Sequence, residues 1–273
     1  MTRPSIGVFD SGVGGLSVLR EIKQRLPQES LVYFADQSHV PYGSRSLDDV
    51  RALSEGITRF LLEQGCKLIV VACNTASAAA LHVLRSSFPA TPFVGMEPAV
   101  KPAAERSETR KVAVLATPAT FQGALFASVM DRFADGVEVV EIIAPGLVEL
   151  IEGGQTASKE VDSVLLASLE PARSQGIDTL VLACTHYSFV IPTIRQILGP
   201  NVSVIDPAPA VARQTERLWK NPGTEATAPE GTGIRYITSG DPSAFRSSML
   251  KLVGNEEDAD TASWEAGALT AKS

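Results

Sequence analysis

The chain has little of several things that would narrow its function at once. It has three cysteines in 273 residues and no Cys-x-x-Cys pair, so neither a disulfide framework nor a zinc ribbon is expected. Positive charge is not in excess. Lys and Arg number 24 against 31 Asp and Glu, a net charge of −7, and the basic footprint that would bind nucleic acid or an anionic membrane is missing. The longest apolar stretch, residues 68–84, is broken by Asn74, Thr75, Ser77 and His82 and is too interrupted to span a bilayer. Residues 1–6 carry no basic-then-apolar signal segment. With 44% hydrophobic and 20% charged residues, the expectation is a cytoplasmic globular protein of one large or two modest domains, either an enzyme or a small-molecule binder.

What is present is a regular alternation. Residues 6–9 (IGVF) read as a buried strand, followed by a glycine-rich turn. A helix over 15–26 then carries Leu16, Leu19, Ile22 and Leu26 on one face. A strand at 31–36 precedes an amphipathic helix at 46–64, opened by Ser46 and Asp48 and stopped near Gly65. A strand at 68–73, a helix through Leu84 and a strand at 92–96 follow. Strand runs without polar alternation are covered on both faces, the signature of a parallel α/β sheet.

The pattern then restarts, with strands at 112–117, 137–143, 179–184 and 202–206 and helices at 120–133, 158–175 and up to Leu198. The runs LIVVAC and TLVLAC both end apolar, Ala, Cys, and the spans 10–73 and 116–184 are of similar length. This reads as an internal duplication. The fold class predicted is α/β: two similar doubly wound domains with mainly parallel sheets, related by a pseudo-twofold axis, with the active site in the cleft between them. The first domain is expected at 1–97 plus 207–253, and the second at 98–206. The returning segment would hold a helix through Trp219, a loop at 221–233, a strand at 234–238 and a helix at 243–253. Residues 254–273 are acidic and small and are expected to be a disordered tail, so that ending the chain after Gly254 leaves activity intact.

Cys73 and Cys184 each end a buried strand and precede polar residues that open a helix. That edge of an open α/β sheet is where ligands bind, and a helix N-terminus lowers a thiol pKa toward neutrality. Cys66 stands at the opposite edge and reads as a packed hydrophobe. Two thiols facing one cleft suit a disulfide, a metal site with His186, or an acid/base pair. The spacing matches no common zinc pattern. A cofactor-free inversion at carbon needs one base on each face, with one thiolate removing a proton and one thiol delivering one.

The loop Asp10-Ser11-Gly12-Val13-Gly14-Gly15 lacks GK[ST] and is not GxGxxG, because position 17 is Ser. Its glycines let the backbone approach a ligand and its helix N-terminus suits a carboxylate. The Asp10 carboxylate suits an ammonium group or a base. Pro41-Tyr42-Gly43-Ser44 is a turn by composition. Asn74-Thr75 and Thr185-His186 have capping chemistry placed beside the thiols. His39 and His82 read as plain surface histidines, and Glu152 as a helix end before two glycines.

DSGVGGLS (10–17), PYG (41–43), ACNTAS (72–77), GMEPAVKPA (95–103) and CTHY (184–187), in this order, resemble the glutamate racemases, a group of cofactor-independent amino-acid racemases. The resemblance runs from about Ile6 to Val253. It implies interconversion of L- and D-glutamate without a cofactor or a metal, supplying D-glutamate for peptidoglycan, by a homodimer with no nucleic-acid or membrane partner. It also implies that Cys73 acts on the D-enantiomer, assisted by Asp10, and Cys184 on the L-enantiomer, assisted by His186 and Glu152. Ser11, Tyr42, Gly43, Asn74, Thr75, Thr185, His186 and Asp10 match the group's substrate contacts. Ser188 stands where the group usually has Pro, and Gln37 where Thr is common. Enterobacterial relatives carry an N-terminal extension linked to activation by a cell-wall precursor. With the first strand at Ile6, activity without that activator is expected. The alternatives are a racemase of aspartate or another small polar acid, and a non-catalytic dicarboxylate binder. A depressed thiol pKa is expected to set the acid limb of activity, and ionisation of the second thiol the alkaline limb.

Overall fold

In the computed structural model, which describes residues 4–220 and 233–271, two separate sheets share one chain. The first half contributes β1 (Ser5–Asp10), β2 (Leu31–Ala35), β3 (Cys66–Val71) and β4 (Phe93–Gly95). Helices α1 (Leu16–Arg25), α2 (Leu47–Glu63) and α3 (Asn74–Ser87) connect them, and α4 (Val100–Arg106) leads out. Every residue of β1 and β2 is buried, as strands covered on both faces must be. Ser46 caps α2 by accepting from the Asp49 N–H at 3.1 Å, and Gly65, with a φ of 85°, reverses the chain beyond it.

The second sheet holds β5 (Lys111–Ala116), β6 (Glu138–Ile142), β7 (Thr179–Ala183) and β8 (Ser203–Ile205). Around it run α5 (Pro118–Gln122), α6 (Ala124–Phe133), α7 (Leu147–Glu152), α8 (Lys159–Gln175) and α9 (Ile191–Leu198). The chain then returns through α10 (Ala208–Trp219) to β9 (Ile234–Thr238), α11 (Pro242–Val253), β10 (Ala259–Glu265) and β11 (Ala268–Ala271), which extend the first sheet. The strand orders are β11-β10-β9-β2-β1-β3-β4 and β6-β5-β7-β8. The stretch β2-β1-β3-β4 thus repeats the connectivity of β6-β5-β7-β8, which is what the repeated Ala-Cys strand endings suggest. All pairings are parallel except β10 with β11.

The structure differs from the sequence expectations at three places. The helix expected at 120–133 is broken at Gly123, whose ψ of 139° is extended. A Cβ there would come within 2.6 Å of Ala78, so close packing on α3 sets the break. The segment after Cys184 is not one helix: residues Thr185–Val190 wind as a 3₁₀ turn before α9 begins with Pro192 in its first turn. The loop expected at 221–233 lies, except for Gly233, outside the described residues.

The third difference is a correction. The tail expected to be disordered forms the β10–β11 hairpin, turned at Ala266-Gly267 with φ of 47° and 82°, the positive-φ pair of a tight hairpin turn. Ala259 to Thr261 pair with β9, and Ala262 and Leu269 are buried. Trp264 packs where Gly56 of α2 has no side chain, since a Cβ there would lie 2.7 Å from the indole. Composition predicted disorder because it counts apolar side chains. The hairpin is ordered instead by ladder hydrogen bonds to an open sheet edge and by one large aromatic ring.

Candidate active site

The carboxyl ends of β1, β3, β5 and β7 converge. Asp10 is the last residue of β1, and its buried carboxylate accepts from the Gly12 N–H at 2.8 Å and from the Thr185 hydroxyl of the second sheet at 3.1 Å. Cys73 N-caps α3 and accepts from the Ala76 N–H at 3.4 Å, so Asn74 and Thr75 fall in the first turn. Cys184 follows β7 directly and opens the 3₁₀ turn that carries Thr185 and His186. The His186 Nδ1 lies 3.6 Å from the Cys184 sulfur, and its Nε2 lies 2.6 Å from Glu152 Oε1 at the end of α7. The Val13 N–H donates to the same Glu152 oxygen at 2.8 Å.

The two thiols line one cavity together with Ser11, Pro41, Tyr42, Gly43, Asn74, Thr75, Thr117, Val148, Thr185 and His186. Of the residues predicted from sequence, Asp10 and Glu152 stand behind this lining and reach it through Thr185 and His186. His39 and His82 lie outside it. The glycine loop also makes room for side chains from the second half of the chain. A Cβ on Gly12 would overlap the Glu152 carboxylate, and one on Gly14 would overlap the His186 ring, so those two glycines admit the second sheet's side chains.

Thr117 and Thr120 escaped the sequence reading. Their hydroxyls and that of Thr75 form a buried triangle with edges of 2.9, 3.2 and 2.9 Å. Thr117 directly follows β5, at the same sheet edge as the thiols, and that placement was the available signal. Both amide atoms of Asn74 are buried with no hydrogen-bond partner among the described residues, an arrangement that costs free energy unless a ligand completes it.

The electrostatics of the two thiols differ. Burial, then the neighbouring Asp10 charge, pushes the Cys73 thiol well above its ordinary range, despite N–H donors from Ala76 and Ser11. The expected depression of this thiol by the helix N-terminus is therefore overturned, because desolvation of a fully buried sulfur outweighs the helix-end field. Burial likewise raises the Asp10 carboxyl against the opposing pull of His186 and Gly12. Burial disfavours a charged His186, but its contacts with Cys184 and Glu152 outweigh that and hold the ring well above the usual histidine range. Glu152 is held below the usual carboxylate range: burial opposes this, and the bonds from His186, Val13 and Gln37 prevail. His186 and Glu152 are thus an imidazolium–carboxylate pair aimed at Cys184.

The family model for Asp/Glu/hydantoin racemases matches residues 6–215. The chain belongs to this racemase family. It is similar to the glutamate racemase of Roseiflexus sp., with 48% identity over 248 residues, covering 90% of this chain and 91% of that one. Its structure is similar to that of glutamate racemase isoform RacE1 from Bacillus anthracis, with a TM-score of 0.86, 30% identity, and 97% and 98% of the two chains covered. It is also similar to the Francisella tularensis glutamate racemase solved in complex with D-glutamate, with a TM-score of 0.83, 28% identity, and 96% and 98% covered.

The chain is therefore an amino-acid racemase, an isomerase. No helix among its described residues is long and apolar enough to cross a membrane. In this racemase the space between the thiols is about 20 Å3, about the room one water needs. A larger cavity of about 600 Å3, bordered by Arg85, Glu97, Asp206 and Arg213 among others, shares no residue with the thiol site.

Proposed function

We propose that this racemase interconverts L- and D-glutamate, with Cys73 and Cys184 exchanging the α-proton from opposite faces. The observation that carries the reading is the pair of thiols at corresponding strand ends of two sheets, lining one small cavity. A thiolate removes the proton on one face while a thiol supplies one on the other, so the negative charge passes from one sulfur to the other and the total is unchanged. Exclusion of water strengthens every polar contact around the planar intermediate.

Each thiol has its own relay. On the Cys73 side, burial favours the thiol, so Asp10, itself made more basic by burial, takes the proton before Cys73 attacks the D-enantiomer. On the Cys184 side, the imidazolium of His186, oriented by Glu152, donates toward sulfur and stabilises the thiolate that attacks the L-enantiomer. Asn74, Thr75, Thr117, Ser11, Thr185 and the turn bearing Tyr42 and Gly43 surround the cavity with hydroxyl, amide and peptide groups suited to two carboxylates.

The preference for glutamate rests on the names of the similar proteins together with this dicarboxylate chemistry. In the cell the product would be D-glutamate for peptidoglycan, made in the cytoplasm by a homodimer. The deciding assay follows L-glutamate and L-aspartate separately in D2O, recording optical rotation and deuterium at the α-carbon. Rotation decaying to zero with deuterium incorporated from glutamate alone is the expected result. Turnover of aspartate instead, or tight glutamate binding with neither signal, overturns the reading.

A further inference from the structure

Asp36, just beyond β2, is fully buried, and its carboxylate is surrounded by donors from three parts of the chain. The Trp264 indole N–H and the Ser239 hydroxyl each donate to Oδ1 at 2.7 Å, and the Tyr42 hydroxyl donates to Oδ2 at 2.6 Å. His39 Nδ1 lies 3.1 Å from both oxygens. Burial alone would raise this carboxyl, but the bonds from His39, Tyr42, Trp264 and Ser239 outweigh it and hold Asp36 below the usual carboxylate range. It is a fixed anion, with the indole and Ser239 on Oδ1, the phenol on Oδ2 and His39 shared between them. Tyr42 belongs to the 3₁₀ turn Tyr42–Ser44, lines the thiol cavity and is buried.

We propose that the C-terminal hairpin is a strap on the active site: Trp264 is a positioning residue that, through Asp36, fixes Tyr42 and with it the turn 41–43 at the substrate. This rests on the reading that the turn touches glutamate. The hairpin needs no such bond to stay in place, because its ladder to β9 and the burial of Ala262 and Leu269 already hold it. The indole N–H is nonetheless directed at the one carboxylate that anchors Tyr42. With Trp264 and Ser239 on Oδ1, the carboxylate plane is set and Oδ2 faces the phenol. Without the indole donor Oδ1 keeps the Ser239 and Ser38 hydroxyls and His39 still spans both oxygens, so the carboxylate stays in place but is held less tightly, and Tyr42 has a looser acceptor. Substrate then has to order the turn as it binds, which weakens binding. The thiols and the His186–Glu152 pair lie outside this chain of bonds, so the chemical step is spared.

The test is steady-state racemisation of glutamate by the full chain carrying Trp264→Phe, which keeps a ring over Gly56 but removes the donor. KM is expected to rise about 5-fold for both enantiomers, the size of one lost hydrogen bond, with kcat within about 2-fold of wild type and little change in thermal midpoint. Tyr42→Phe should raise KM similarly. The double variant should be no worse than Tyr42→Phe alone, because both changes break one series of contacts. A wild-type KM in Trp264→Phe, or penalties that multiply in the double variant, overturns the proposal. If Trp264→Phe does not fold, Asp36→Asn reads the same chain from its centre, and an unchanged KM there overturns it equally. Gly43→Ala tests the underlying site reading separately, because its Cβ would come 2.6 Å from Thr117. A raised KM in Gly43→Ala with Trp264→Phe unaffected overturns the strap alone. No change in either variant overturns both.

Discussion

Cys73 and Cys184 end corresponding strands of two sheets with the same connectivity, yet their surroundings diverge within two residues. After Cys73 the chain enters a regular helix, the sulfur accepts from a backbone N–H, and the nearest acid is Asp10. After Cys184 it winds as a 3₁₀ turn, which swings His186 back to within 3.6 Å of the sulfur with Glu152 behind it. Matching connectivity thus places two thiols at equivalent strand ends, and local sequence sets a buried carboxylate near one and an imidazolium–carboxylate pair beside the other. Inverting a carbon centre requires two faces. It does not require two identical ones.

The strongest way to break this comparison is to remove the thiols one at a time. Cys73→Ser and Cys184→Ser should each lose racemisation by about 10²-fold or more, the scale of a missing general acid/base. Racemisation cannot reveal which face was damaged. Its equilibrium constant is unity, so kcat/KM must fall equally in both directions. An irreversible reaction can. A glutamate analogue with a β-leaving group needs only abstraction, so Cys184→Ser should still eliminate from the D-form and Cys73→Ser from the L-form. Equal elimination from both forms by both variants would show that the thiols do not divide the faces.

The next effect sharpens the difference between the relays. His186→Asn should cost about 10- to 100-fold in elimination from the L-form and little from the D-form, and Asp10→Asn the reverse. The acid limb follows from Asp10, whose carboxyl is raised by burial. A raised acid is protonated, and useless as a base, already at a pH where an ordinary carboxylate is ionised. Efficiency should therefore fall as pH drops through a value above the usual carboxylate range, and that limb should disappear in Asp10→Asn. An acid limb that survives the substitution would return the titration to the thiols.

The smallest effect belongs to Cys66, the thiol outside the comparison. It is buried beneath Gly7, accepts from the Ser5 hydroxyl at 3.4 Å, and burial pushes it up to about 11. Cys66→Ser should leave racemisation within about 2-fold, as for a residue with no polar role at the site. The folded protein keeps this proton where the unfolded chain releases it at the ordinary thiol value of roughly 8.5. Stability from this group is therefore full below that value and is lost as pH rises through about 11. Denaturant midpoints across this window should flatten in Cys66→Ala, and an unchanged slope would count against the buried-thiol description.

Strands β1 to β9, the repeated α/β pattern and the two strand-end thiols were legible in the sequence. Apolar runs without polar alternation permit only doubly covered parallel strands, and residues at the carboxyl ends of such strands meet at one edge whatever the helices do. It also indicated Asp10, Ser11, Tyr42, Gly43, Asn74, Thr75, Glu152, Thr185 and His186, through motifs and position. The rest depends on contacts between segments far apart in the chain. The thiol at Cys73 is raised because complete desolvation outweighs the helix end, and burial depth is not a local property. Thr117 and Thr120 join the site because α5 packs on α3. Gly12 and Gly14 are small because Glu152 and His186, more than a hundred residues away, occupy the space beside them. The acidic tail is ordered because β9 offers an open edge and Gly56 leaves room for Trp264. Composition cannot report a hydrogen-bond ladder, because backbone donors and acceptors are the same in every sequence and only the fold determines which of them meet.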